Sequence, residues 1–378
     1  MGQLASSASP RERSRNGSLA EKAVGSPERR RTNGRPRVLI PGGYGVFGRH
    51  LARELLRSTA AHLVIAGRDG AKAALACEQL GSPDRVEPLS LDLRDLDAVE
   101  HAANRCVAVA CTAGPFQDLP PALPGIAVRA GAHWLDVSDH PSWVVGILDD
   151  QELVAAARSV AVIPGLSAVP AVSGLLARWC LDRLPAVRAG RVTLFIGNRN
   201  EKGAGATASA LIGGFHDPAW VRLPFGLRRA YRFATPDREL FRRDLGVEAE
   251  FRVALEWAYL GWLTARISRI SGRLGVGGRA RLARLLSRAS RPFSLLGTDL
   301  GCVQVDLWTP GGRGVSAAAV AGQAIVVLPC ALAVRAILEG AVPAGVAHPA
   351  RWLPVDAYLE GLRSRGVRFL MPRGDEAF

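Results

Sequence analysis

A short apolar run, Val38, Leu39 and Ile40, stops at a glycine cluster, and an apolar helical pattern through Val46, Leu51, Leu55 and Leu56 follows at once. Gly43, Gly45 and Gly48 satisfy G-x-G-x-x-G where a strand hands over to a helix. In that context the glycines permit a tight turn, close backbone approach to a pyrophosphate, and close helix–strand packing. The helix then offers free N–H groups and the positive end of its dipole to the phosphates. Gly42, Gly43, Gly45, Val46, Phe47 and Gly48 are therefore candidate cofactor-binding positions.

The residues beyond this loop keep alternating. Strands are predicted over 37–41, 62–66, 86–91, 107–111, 133–137 and 160–163, with helices over 46–58, 70–80, 95–103, 121–130 and 149–158. Such alternation predicts an α/β fold: a Rossmann-type, doubly wound parallel sheet with its site at the carboxyl ends of the strands. A helix is expected from 170 to 183. Strands at 192–196, 302–308 and 315–321, with helices at 204–213 and 251–270, predict a mixed α+β second domain. The division expected is a basic tail at 1–35, a dinucleotide-binding domain at 36–185 and a closing domain at 186–378. Whether its last part returns to the first domain stays open.

Charge is local. The formal net charge is +14, of which residues 1–37 carry +6 and residues 251–291 carry +8, so the remainder sums to zero. That placement, without an aromatic-studded basic fold, argues against a nucleic-acid partner. Residues 1–35, rich in Ser, Arg and Gly, read as a disordered tail without the apolar core of a signal peptide, so a cytoplasmic protein is expected. Six scattered cysteines lacking C-x-x-C pairs read as free buried thiols, and no metal site is expected.

Several polar residues fall at strand ends. Arg68, after the second strand, stands where an NAD-selective site places an acid. Its guanidinium suits the 2′-phosphate of NADP, although NAD and a purely solvated Arg68 both stay open. Asp92 is a candidate for the adenine edge or a turn former. Thr112, Ala113 and Gly114 bring backbone beside the nicotinamide position. His133, Asp136 and His140 are the candidates for moving a proton, against the alternative of a hydrogen-bonded loop cap.

At this point the chain resembles the saccharopine dehydrogenase-like oxidoreductases. The resemblance rests on Gly42-Gly-Tyr-Gly-Val-Phe-Gly48, Ile65-Ala-Gly-Arg-Asp69, Thr112-Ala-Gly-Pro-Phe-Gln117, Gly131-Ala-His-Trp-Leu-Asp136 and Pro164-Gly-Leu-Ser-Ala-Val-Pro170. It implies a Rossmann domain binding a nicotinamide cofactor and an α+β domain closing over a small-molecule substrate, with a homodimer left open. The proline-heavy stretch Asp118-Leu-Pro-Pro-Ala-Leu-Pro-Gly125 departs from the family pattern, and no Tyr-x-x-x-Lys pair accompanies Lys72 or Lys202.

Two segments raise a membrane. Val315 to Val334 lacks charge, but Gly322, Gln323 and Pro329 interrupt it, so a buried strand, a connection and a helix from Pro329 are expected. In 251–291 the row Phe251, Leu255, Ala258, Tyr259, Trp262, Leu263 and Ile267 precedes a run of arginines. The segment reads either as an amphipathic helix in peripheral contact with an anionic membrane at its inner face, or as a helix packed on its own domain. The rival to an oxidoreductase is accordingly a membrane-associated, cofactor-binding scaffold without turnover.

Overall fold

The computed structural model describes residues 31–157, 159–201, 215–271, 278, 281–282, 285–286 and 296–374. Its first strands, β1 (Arg31–Thr32) and β2 (Arg35–Pro41), are joined by Asn33 and Gly34, both at positive φ. An Asn-Gly pair favours this two-residue hairpin turn. Residues 31–35 are thus ordered, which corrects the tail boundary; residues 1–30 lie outside the described residues.

From β2 the chain alternates as expected through α1 (Val46–Ser58), β3 (His62–Gly67), α2 (Gly70–Leu80), β4 (Val86–Ser90), α3 (Leu96–Asn104), β5 (Ala108–Cys111), α4 (Leu123–Arg129) and β6 (His133–Asp136). Two helices follow, α5 (Pro141–Asp149) and α6 (Gln151–Ala156), in place of the one helix expected at 149–158. Asp150 is the reason: its extended backbone ends α5, and its carboxylate accepts the Leu153 N–H to start α6. After β7 (Ala161–Ile163) and a tight turn over Ala168–Val172 comes α7 (Ser173–Leu181).

The strands pair in parallel in the order β4-β3-β2-β5-β6-β7, the doubly wound arrangement. Val38, Leu39 and Ile40 are wholly buried, as a central parallel strand covered on both faces requires. On α1 the buried residues Gly48, Leu51, Ala52 and Leu55 lie at helical spacing along one stripe.

The second sheet runs β15-β13-β12-β8-β11-β10-β9. Its members are β8 (Ala189–Ile196), β9 (His216–Leu223), β10 (Gly226–Arg232), β11 (Glu248–Leu255), β12 (Leu300–Trp308), β13 (Gly314–Gly322) and β15 (Arg368–Gly374), with β8 and β11 parallel and the other neighbours antiparallel. α8 (Asp237–Leu245) and α9 (Ala258–Ser271) flank β11. The helix expected over 251–270 is therefore a strand in its first part. Phe251 and Leu255, four residues apart, share a strand face as readily as a helix face, and the period-2 row Ala249, Phe251, Val253 decides for the strand. The helix expected at 204–213 lies outside the described residues.

Val315 to Val334 divides into β13, a turn over Gln323–Val326 and the start of α10 (Leu328–Leu338). No helix among the described residues is long and apolar enough to cross a membrane. After α10 the chain comes back: α10 packs on α1, β5 and β6, and β14 (Gly345–Val346) pairs in parallel with β7. The last helix, α11 (Val355–Arg363), contacts α7 and α10, and buried apolar residues of both sheets form one continuous core.

Candidate dinucleotide-binding site

Strand order reverses between β2 and β5, so the loops after those strands diverge and open a crevice at the carboxyl edge. The glycine turn follows β2. Gly42 has φ +76°, and a Cβ there would meet the Ala113 backbone N at 2.6 Å. At Gly48 a Cβ would come within 2.4 Å of the Gly42 carbonyl, so this glycine lets α1 close on the turn. Gly43 is confined by the Ile40 carbonyl at 2.8 Å and by Ile65. Gly45 differs, because among the described residues its only near neighbour is the Gly42 carbonyl at 3.0 Å, which leaves its other side open to them.

Gly45 caps α1 without a side-chain hydrogen bond. The first-turn N–H groups, beginning at Val46, Phe47 and Gly48, remain available to an anion. Thr112 closes the back of the turn: its N–H and its hydroxyl both donate to the Pro41 carbonyl, each at 2.9 Å. Thr112 and Ala113 are thus a wall behind the glycines, while Gly114 is exposed in the crevice. Arg49, which sequence reasoning passed over although it follows Gly48, donates to the Tyr44 carbonyl at 2.8 Å and pairs with Glu201 at 3.0 Å. It ties the glycine turn to the segment after β8.

Arg68 is exposed at the end of β3 and makes no hydrogen bond or ion pair among the described residues. Its neighbour Asp69 caps α2 and is held below the usual carboxylate range by its hydrogen bonds with Lys72. Asp92 is exposed and spends one carboxylate oxygen on the Arg94 N–H at 3.1 Å, the geometry of a turn former.

The three proton-transfer candidates separate. Asp136 is wholly buried and accepts four hydrogen bonds: from the Trp134 and Trp143 indoles at 2.9 Å each, from Ser138 N–H at 3.0 Å and from Gly165 N–H at 2.9 Å. Burial pushes its pKa up against those four donors. Every lone pair is engaged, so Asp136 is a structural knot joining β6, α5 and the Pro164–Gly165 turn; its reading as a catalytic group is corrected. His133 begins β6, at the opposite edge of the sheet from the crevice, where its Nδ1 accepts the Ala161 N–H at 2.9 Å. It too is corrected, because strand polarity puts it out of reach.

His140 remains. It sits at the start of α5 on the crevice side, half-buried, with Nδ1 at 3.1 Å from the Ser142 hydroxyl. Burial lowers its pKa while Asp118 opposes that shift. Asp118 belongs to the proline-heavy departure from the family pattern, and the sequence alone does not mark it as a site residue.

Sequence reasoning also missed a buried carboxylate behind this edge. Asp237, at the start of α8, accepts a hydrogen bond from the Ser173 hydroxyl. Burial lifts its pKa to about 6, and the nearby Asp139 carboxylate adds to the rise. The six cysteines are free, and burial raises the Cys77 and Cys106 thiols to about 11, so neither is an activated nucleophile. Among the described residues no group of three or more His, Cys, Asp or Glu is placed to hold a metal.

Comparison with known proteins agrees with this geometry. A family model described as the KR domain matches residues 37–113, from β2 to the wall at Ala113. A polyketide synthase, GfsA of Streptomyces halstedii, is 38% identical over 100 residues, covering 22% of this chain and only 1% of the synthase. Apo saccharopine dehydrogenase (L-Glu forming) from Saccharomyces cerevisiae superposes with TM-score 0.61 at 15% identity, covering 90% of this chain and 100% of that one. An oxidoreductase from Sinorhizobium meliloti covers 89% of this chain and 99% of its own at 13% identity, with TM-score 0.38. Across both sheets, this chain has the fold of saccharopine dehydrogenase, with a KR-like segment carrying its glycine turn.

Proposed function

We propose that the protein is an NAD(P)-dependent oxidoreductase of the saccharopine dehydrogenase-like type. The observation that carries this is the glycine turn. It is closed at Gly42, Gly43 and Gly48, open at Gly45, and faces a helix N-terminus without a side-chain cap. Those features fit a pyrophosphate, and the unpaired Arg68 fits a 2′-phosphate, so NADP is the favoured cofactor. The exposed Asp92 carboxylate is offered to the adenine end.

When bound, the nicotinamide supplies or accepts hydride at a carbon bonded to nitrogen or oxygen in a small substrate. The chain's own part is positioning and proton handling. Gly114 lets backbone approach the crevice. His140, whose pKa burial lowers, takes or gives the proton, and Asp118, which opposes that shift, stabilises the imidazolium that forms in one direction.

The test is NADPH consumption, and NADP reduction in reverse, across a panel of keto acids, aldehydes, imine-forming amine–carbonyl pairs and alcohols. Turnover that falls at least about a hundredfold in His140→Asn supports both parts, since general acid–base catalysis contributes on that order. Tight cofactor binding with no turnover across the panel would favour a scaffold, and no cofactor binding at all would sink the reading.

A further inference from the structure

The second sheet has an exposed apolar face that catalysis does not use. On α9, Tyr259, Trp262 and Leu263 are 55%, 47% and 44% exposed, although Ala265 and Ser268 on the same helix are buried. The packed side is fixed by Gly261, where a Cβ would strike the Tyr231 ring at 2.5 Å. α9 therefore lies on the sheet side to which Tyr231, Arg229 and Leu227 of β10 point, alternation placing them together. Register pairs Leu227 with Arg222 and Arg229 with Trp220, which brings β9 residues to the same side. Trp220 is 65% and Leu227 54% exposed. Large apolar residues gathered this way on one surface mark an interaction site.

Chemistry selects the occupant. Arg266 stacks over Trp262 at 4.6 Å, Trp257 stacks on Tyr259 at 5.6 Å, and Arg222 stands exposed beside Leu227. Arg222, Arg229 and Arg266 belong to this face, and α9 itself contains no acidic residue. Arg252 is excluded from this set, being buried and bonded to Glu250 and Asp217. Trp and Tyr flanked by arginine is the composition favoured at the headgroup level of a bilayer.

We propose that the α9–β9–β10 face docks on an anionic lipid surface, with Trp262 and Leu263 entering the headgroup layer and the arginines meeting lipid charge. Each arginine at the surface strengthens binding about fivefold.

Flotation of the full chain with vesicles of phosphatidylcholine alone, or with one quarter phosphatidylserine, tests this. Binding is expected with the anionic vesicles at low salt, at least about tenfold above the neutral ones, and largely lost near 0.5 M salt, where the Debye length is about 4 Å. Trp262→Glu with Leu263→Glu should abolish it with circular dichroism and melting unchanged; Arg266→Gln should weaken it about fivefold. Failure of the wild type to float, or equal flotation with neutral vesicles, would overturn the proposal. So would undiminished binding of the folded double variant, since the contact then belongs to the basic N-terminal residues. A dimer, seen by light scattering, that the double variant dissociates would assign the face to a second copy instead.

Discussion

Arg68 and Asp237 show how differently two charged side chains are held near one crevice. Arg68 is exposed and unpaired among the described residues, so its removal costs the fold little. If it meets a 2′-phosphate, Arg68→Ala should weaken NADP by about 1.5–3 kcal/mol, the range for a charge-assisted hydrogen bond, and leave NAD nearly unchanged. Calorimetry with both cofactors checks this, and equal losses would end the preference for NADP. Asp237 is buried, and its pKa rises to about 6. Between its unfolded value and that figure the folded chain binds the proton that the unfolded chain has released. Stability from this group is therefore present at low pH and lost as pH rises towards 6, about 1.4 kcal/mol for each pH unit. Asp237→Asn cannot ionise. Urea unfolding of both proteins from pH 4 to 7 should show the variant gaining on the wild type by about 3 kcal/mol over that interval, then running parallel. A constant difference would mean that Asp237 stays ionised. Asp136 is the contrast: its residue type and place at a strand end read as chemistry, but the four donors around it come from Trp134, Ser138, Trp143 and Gly165, a convergence that sequence order does not display.

Among elements, the β2–α1 junction separates function from packing within one motif. Gly45→Val adds a side chain on the open side of the turn and is expected to melt near the wild type while losing cofactor binding. Gly48→Val pushes atoms into the Gly42 carbonyl and Gly43 Cα, at 2.4 and 2.5 Å from a Cβ, and should destabilise by about 1–3 kcal/mol as overpacking does. Thermal melts beside cofactor titrations distinguish them; matching behaviour would mean that the motif acts as a single unit. This junction is legible in the sequence because strand, glycines and helix are contiguous. The hairpin of β9 and β10 is not: Arg222, Arg228, Arg229 and Arg232 hide its alternation, and its strands pair at a sheet edge where polar residues are tolerated. α5 escapes notice as well, because its buried Trp143, Val144 and Ile147 span barely one turn after Pro141. The place of His140 just beyond a strand's carboxyl end can be read from residue order, but its neighbour Asp118 arrives from a different loop, a pairing made by topology alone.

At the scale of the whole molecule, the chain's return after α10 binds the two sheets into one unit. Nine of the eleven residues of α10 are buried, and the helix covers β5, β6 and α1 of the first sheet. β14 then extends that sheet beside β7. Farther on, the Ala350 carbonyl accepts a hydrogen bond from Arg178 of α7 at 2.5 Å, and His348 meets Asp244 of α8 at 3.0 Å. Burial lowers the His348 pKa, and the neighbouring Asp244 opposes that shift. The first 185 residues therefore contain the whole glycine motif but lack the helix that shields the strands beneath it. A fragment ending at 185 leaves those apolar side chains in water, at about 25 cal/mol for each Å² uncovered. It is expected to retain helical circular dichroism, bind a hydrophobic dye and unfold without a sharp transition, as chains with lost specific packing do. The full chain should instead unfold in one step, with tryptophan fluorescence and far-ultraviolet dichroism superimposing in urea. A soluble, cooperatively folding 1–185 fragment that binds NADPH as tightly as the full chain would show that the returning helix is dispensable and that the two sheets are independent folding units.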